Sequence, residues 1–160
     1  MKKLLTTLAV CLVAVIAMAA DSARPPVFQM RLVAENPSAD SEQLICQSTN
    51  KETGRISTEK LNVQKKALLD QTALKSAVAA KGWQDHWQVD FSLTPGGTKQ
   101  FAEITGRNIG KRLAIVIDGR LISAPTIQSQ ITGGKGQISG TFTKQEAKDL
   151  AAKINQAIGR

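Results

Sequence analysis

Leu113-Ala114-Ile115-Val116-Ile117 runs straight into Asp118-Gly119, and a second apolar pair, Leu121-Ile122, follows. No other feature constrains the fold as tightly. An apolar run without alternation suits a central strand buried on both faces, because a strand with one wet face alternates apolar and polar residues. Asp-Gly between two apolar runs suits a two-residue hairpin turn, whose central positions need positive φ. The chain must therefore cover both sides of an antiparallel strand. Its 160 residues suffice for one domain with its own core.

The flanking sequence supplies the cover. Trp87, Val89, Phe91 and Leu93 alternate with Gln88, Asp90 and Ser92, the pattern of a half-buried strand. Thr94-Pro95 then suits the N-cap and first position of a helix, with Phe101, Ile104 and Thr105 as its buried stripe and Gly106 as its stop. Thr143 and Glu146 form a capping box ahead of a last helix, whose apolar face is Ala147, Leu150, Ala151 and Ile154. Val27 to Ala34 reads as a strand with Phe28, Met30 and Leu32 on one face. Glu35 to Ser41 reads as a loop, Leu44 to Gln47 as a short strand, Thr49 to Glu59 as a loop or loose hairpin, and Leu61 to Lys66 as a strand. Leu74, Ala77 and Val78 recur at helical spacing and predict a helix closed by Gly82. Thr126 to Ile131 and Gln137 to Phe142 read as further strands, with Gly133-Gly134-Lys135-Gly136 between them as a flexible turn. The expected class is α+β: a mixed or antiparallel sheet with helices packed on one side.

The first residues stand apart. Lys2 and Lys3 precede an uncharged, mostly apolar stretch from Leu4 to Met18, and Ala17-Met18-Ala19 is a small-x-small site. Residues 1–20 thus read as a secretory signal peptide; an uncleaved membrane anchor is the alternative, since Leu4 to Ala20 is barely long enough to span a bilayer. Residues 21–27, with Pro25-Pro26, form a leader, and residues 28–157 a single domain. The expected location is the periplasm, or the inner membrane surface if the anchor stays; the membrane is then met only through that segment. Loss of Lys2 and Lys3 lowers the formal charge of +8 by two. In an exported chain this positive balance does not predict nucleic-acid binding. Anionic headgroups or acidic polypeptides could meet it, and plain solubility explains it without a partner. Cys11 lies within the signal segment, so Cys46 is left without an intrachain partner. Its apolar neighbours suggest a buried thiol, with an intermolecular bridge as the alternative.

Chemistry is sparse. Gly106-Arg107-Asn108-Ile109-Gly110-Lys111 resembles a phosphate loop superficially, but its glycines are one residue too close. Arg112 replaces the hydroxyl, and a strand follows where a helix should begin. His86 is the sole histidine, so no zinc site is expected, and Asp85 beside it has no nucleophile near in sequence. Asp118-Gly119-Arg120 is explained by turn chemistry. No catalytic residue, cofactor or metal is expected. Trp83, His86 and Trp87 could form an apolar clamp for an extended peptide at the strand boundary. Alternatively, Trp87 starts the core face and Trp83 covers the end of the preceding helix. Gly133, Gly134, Lys135 and Gly136 could grip a partner through a flexible loop, or serve only as a turn.

The order Phe101-x-x-x-Thr105-x-x-Asn108-x-Gly110, Ala114-Ile115-Val116-Ile117-Asp118-Gly119, Ser123-Ala124-Pro125, Gly134, Ile138-x-Gly140, Phe142-Thr143-x-x-Glu146-Ala147 resembles the head region of the large periplasmic domain of SecD, the accessory subunit of the bacterial preprotein translocase. Arg31-Leu32-Val33 and the stretches Leu61 to Leu69 and Leu74 to Ala77 extend the likeness. Where the family has a Leu-Thr-Gly turn, this chain has Leu69-Asp70-Gln71-Thr72. The resemblance implies an exported binding module for polypeptides or envelope proteins, accessory to Sec-dependent export, with translocase components among its partners. The family's proton-driven cycle belongs to intramembrane parts without a counterpart here, so no proton-coupled transport and no enzymatic turnover are expected from this chain alone. The alternative is a periplasmic structural or regulatory protein that uses the same fold for one non-Sec partner.

Overall fold

The computed structural model describes residues 26–49, 55–82 and 86–159. Nine strands and two helices follow in the order β1 (Phe28–Leu32), β2 (Ser41–Thr49), β3 (Ile56–Gln64), β4 (Leu69–Asp70), β5 (Leu74–Lys81), β6 (Trp87–Leu93), α1 (Pro95–Arg107), β7 (Leu113–Ile117), β8 (Arg120–Ser123), β9 (Lys135–Phe142) and α2 (Lys144–Ala157). They make three antiparallel sheets with strand orders β4-β1-β7-β8, β2-β3 and β5-β6-β9. The class is α+β, and every pairing is antiparallel.

β7 explains its own sequence. Leu113, Ile115 and Ile117 enter the main core, while Ala114 and Val116 enter a second cluster behind the sheet. All five residues are buried. Each strand residue points to one face or the other, so an unbroken apolar run is what two cores require. The main core draws Phe28, Met30 and Leu32 from β1, Val89, Phe91 and Leu93 from β6, Phe101 from α1, and Ala147, Ala151 and Ile154 from α2. Both helices thus cover the same side. The second cluster is roofed by the β2–β3 ribbon, through Leu61 and Val63 with Leu44 and Cys46 packed against them.

Local signals hold in several places. Asp118 (φ 49) and Gly119 (φ 73) make the expected hairpin turn. The Thr94 hydroxyl accepts from Gly97 N–H at 3.0 Å and Pro95 opens α1; the Thr143–Glu146 box caps α2. Such caps contribute about 1 kcal/mol each.

Four local expectations change. The segment predicted as a helix closed by Gly82 is strand β5, preceded by a single 3-10 turn at Gln71–Ala73. The ladder to β6 carries a bulge between Leu74 and Ser76. One extra residue turns the two-residue strand repeat into a three-residue step, so Leu74 and Ala77 face the core together and imitate a helix. α1 passes Gly106, runs to Arg107 and ends at Asn108, whose side chain donates to Ile104 O at 2.8 Å. Residues 126–131 form no strand; Thr126 makes one isolated bridge with Arg112. The loop-or-hairpin reading resolves into the long arms of β2 and β3, with residues 50–54 outside the described residues. The signal and leader residues 1–25 also lie outside them.

Candidate functional site

β8 and β9 are the outer strands of two different sheets and run past each other without pairing. An open groove of about 890 Å³ lies beside them. The ribbon contributes Gln43, Ile45 and Gln47; the β7–β8 hairpin contributes Ile117 to Ile122; β9 contributes Gly140 to Phe142; α2 contributes Glu146, Asp149, Leu150 and Lys153. Ile45 is half exposed because the ribbon points Leu44 and Cys46 at the second cluster and Ile45 the other way. Phe142 and Leu150 are half-buried. The lining is thus apolar patches separated by polar side chains.

The backbone of β9 adds a second resource. Leu93 N–H donates to Gly134 O at 2.8 Å, and the Phe91–Gly136 and Val89–Ile138 pairs continue that phase. The N–H and C=O groups of Lys135, Gln137 and Ser139 therefore point away from β6. No described strand meets them.

Most charged side chains around the groove have a partner. Lys153 pairs with Asp118, tying α2 to the hairpin tip. Glu146 accepts from Thr143 N–H at 2.7 Å. That backbone bond, with the Thr143 hydroxyl second, holds its carboxyl below the usual range. Asp149 accepts from Gln145 at 2.8 Å. The ribbon behind is clamped to the sheet near its open end and at its middle. Arg31 bonds Glu42, and Arg112 grips Glu59 through two bonds of 2.6 and 3.0 Å. Hydrogen bonding to Arg112 is the main cause that lowers the Glu59 carboxyl. Burial raises the Cys46 thiol, which donates to Ile122 O across 3.7 Å. A half-buried thiol with a raised pKa is a poor nucleophile. No group of three metal-ligating side chains occurs among the described residues.

The residues singled out in sequence fall at two places. Trp87 is half-buried against the main core, with Lys144 Nζ 5.7 Å from its ring centre. Its cross-strand partner is Phe142, so this end of β6 adjoins the groove. His86 is half-buried, and its carbonyl accepts from Gly82 N–H at 2.7 Å. Trp83 lies outside the described residues. Gly133, Gly134, Lys135 and Gly136 sit at the other end of β6, roughly 20 Å of strand away. Two of these glycines have packing reasons. A Cβ on Gly136 would lie 2.3 Å from Phe91 Cζ, and one on Gly134 (φ +64) 2.4 Å from Thr98 Oγ1. Lys135 and Gly136 already belong to β9, so the segment is less a free turn than a strand start. Ile45, Arg120, Thr141, Phe142 and Leu150 were not anticipated. Ile45 between Leu44 and Cys46 was the available hint, because it makes both faces of a polar ribbon apolar.

The SecDF P1 head subdomain family matches residues 44–157. The protein translocase subunit SecD of Rickettsia bellii (strain RML369-C) is 47% identical over 91 residues, covering 57% of this chain and 18% of that protein. A solved structure of SecDF, described as a membrane component that enhances protein export, superposes with a TM-score of 0.62 at 33% identity, over 81% of this chain and 61% of that one. A SecDF crystal structure in a super-membrane-facing form gives 0.63 at 32% identity, over 81% of this chain and 18% of that one. The chain therefore spans only a small part of the full-length relatives it matches. No helix among the described residues is long and apolar enough to cross a membrane.

Proposed function

This chain belongs to the SecDF P1 head subdomain family, and from that premise we propose that it is a polypeptide-binding module accessory to protein export. It acts in the periplasm behind its N-terminal export signal, with residues 28–157 as the binding domain. It neither turns over a substrate nor drives transport by itself. Its partners are extended stretches of exported polypeptide and translocase components.

The observation that carries this reading is the groove beside the unpaired edge of β9. An extended chain laid along β9 and on into the groove gains backbone hydrogen bonds at Lys135, Gln137 and Ser139 that do not depend on its sequence. Ile45, Phe142 and Leu150 offer apolar contacts to alternate side chains. Broad acceptance of unfolded clients needs that combination. Trp87 extends the same surface past Phe142, and Trp83 and His86 are further residues assigned to the partner.

In-cell photo-crosslinking tests it. Probes at Phe142, Lys135 and Trp83 should capture many exported chains or translocase subunits. Capture of one unrelated envelope protein would mean that the fold serves a single non-Sec partner. Failure of the purified chain to bind any unfolded polypeptide would overturn the binding reading itself.

A further inference from the structure

The sheet β5-β6-β9 has two outer strands, and β5 is treated quite differently from β9. Gly82 N–H donates to His86 O, which fixes the phase of the β5–β6 ladder. Even-numbered residues of β5 bond β6, and the backbone groups of Ala77 and Ala79 point outward. At Ala77 both outward groups are occupied by one side chain. Ala77 N–H donates to Asn155 Oδ1 at 2.9 Å, and Asn155 Nδ2 donates to Ala77 O at 2.8 Å. Asn155 lies in the last turn of α2, 78 residues away in sequence. A carboxamide is the side chain that can copy both halves of a strand's backbone pairing at once.

We propose that Asn155 is a surrogate strand partner that closes the β5 edge against a second copy of this chain. The edge is otherwise suited to pair with itself. It is eight residues long, contains no acid or proline, and leaves Val78 61% exposed. In a two-fold antiparallel pairing centred on Ala77, Val78 of one copy would face Ser76 of the other, and Lys75 would face Ala79. No lysine would oppose a lysine. The centre of that pairing is the residue Asn155 occupies. The sheet then offers one edge to partners rather than two, and molecules do not chain together through β5.

Asn155→Ala in the full chain tests this, with Asn155→Asp as a second variant that keeps the acceptor and loses the donor. In the wild type, the Ala77 amide should be protected from hydrogen exchange and the outward amide of Ala79 should not. In Asn155→Ala, at dilutions where the variant is monomeric, exchange at Ala77 should rise roughly tenfold or more. Sedimentation should show a concentration-dependent doubling of mass that the wild type lacks. Asn155→Asp should fold and show the same doubling at higher concentration. Unchanged protection of Ala77 in the monomeric variant, or lost protection with no change in mass in both variants at high concentration, would overturn the proposal. The second result would leave Asn155 as a structural tie between α2 and β5.

Discussion

The two apolar clusters on either side of β7 are built to different standards. The main core takes residues from three strands of each larger sheet and from both helices. The second cluster holds six buried residues and depends on a two-stranded ribbon for its roof. A two-stranded ribbon is marginal by itself, and here it is keyed by charge as well as by burial. The sheet side supplies Arg31 and Arg112; the ribbon supplies Glu42 and Glu59. The main core therefore sets global stability, and the ribbon is an attached wall whose outer face lines the groove. That difference gives the groove one rigid side and one yielding side.

Substitutions can break or sharpen this contrast. Ile138 is fully buried in the main core, and Ile138→Ala should cost about 2–5 kcal/mol of global stability, read by denaturant unfolding with the slope unchanged. Val63 is just as buried in the second cluster. Val63→Ala should cost about 1.5–2.5 kcal/mol, expressed mainly as faster amide exchange in Leu61–Gln64 while Val89 and Phe91 keep their protection. Equal loss of protection in both regions would dissolve the contrast. Thr143→Ala removes a cap from the helix that carries Ala147, Ala151 and Ile154, and should lower global stability by about 1 kcal/mol without touching the ribbon.

The smallest effect concerns pH. Arg112 holds the Glu59 carboxyl below its ordinary value in the folded chain. The bridge's contribution is therefore present above the ordinary glutamate range and is lost as pH falls through the lowered folded value. Glu59 is about half exposed, so this amounts to less than about 1 kcal/mol. Glu59→Gln should flatten that part of the pH profile of ribbon exchange and leave main-core protection unchanged.

Elements with local signals were legible in the sequence. The Asp118-Gly119 turn, the alternation in β6 and the caps Thr94 and Thr143 each state their structure within a few residues. β5 was not legible, because a bulge placed Leu74 and Ala77 at helical spacing and the ladder with β6 overrode alanine's helical preference. Gly136 was misread for a different reason. Glycine there answers the approach of the Phe91 ring, not a need for turn flexibility. The groove is assembled from β2, β8, β9 and α2, so no single stretch of sequence announced it.

The double burial of β7 has a further consequence. A strand with one wet face stores its register in its own pattern, since a slip by one residue would drown the apolar set. β7 has no such memory: after a slip, apolar side chains still fill both clusters. Its alignment is held instead by the Asp118-Gly119 reversal and by the bonds from Leu113 to Pro125 and from Asp118 to Val27. The central strand of the molecule thus takes its alignment from its two ends.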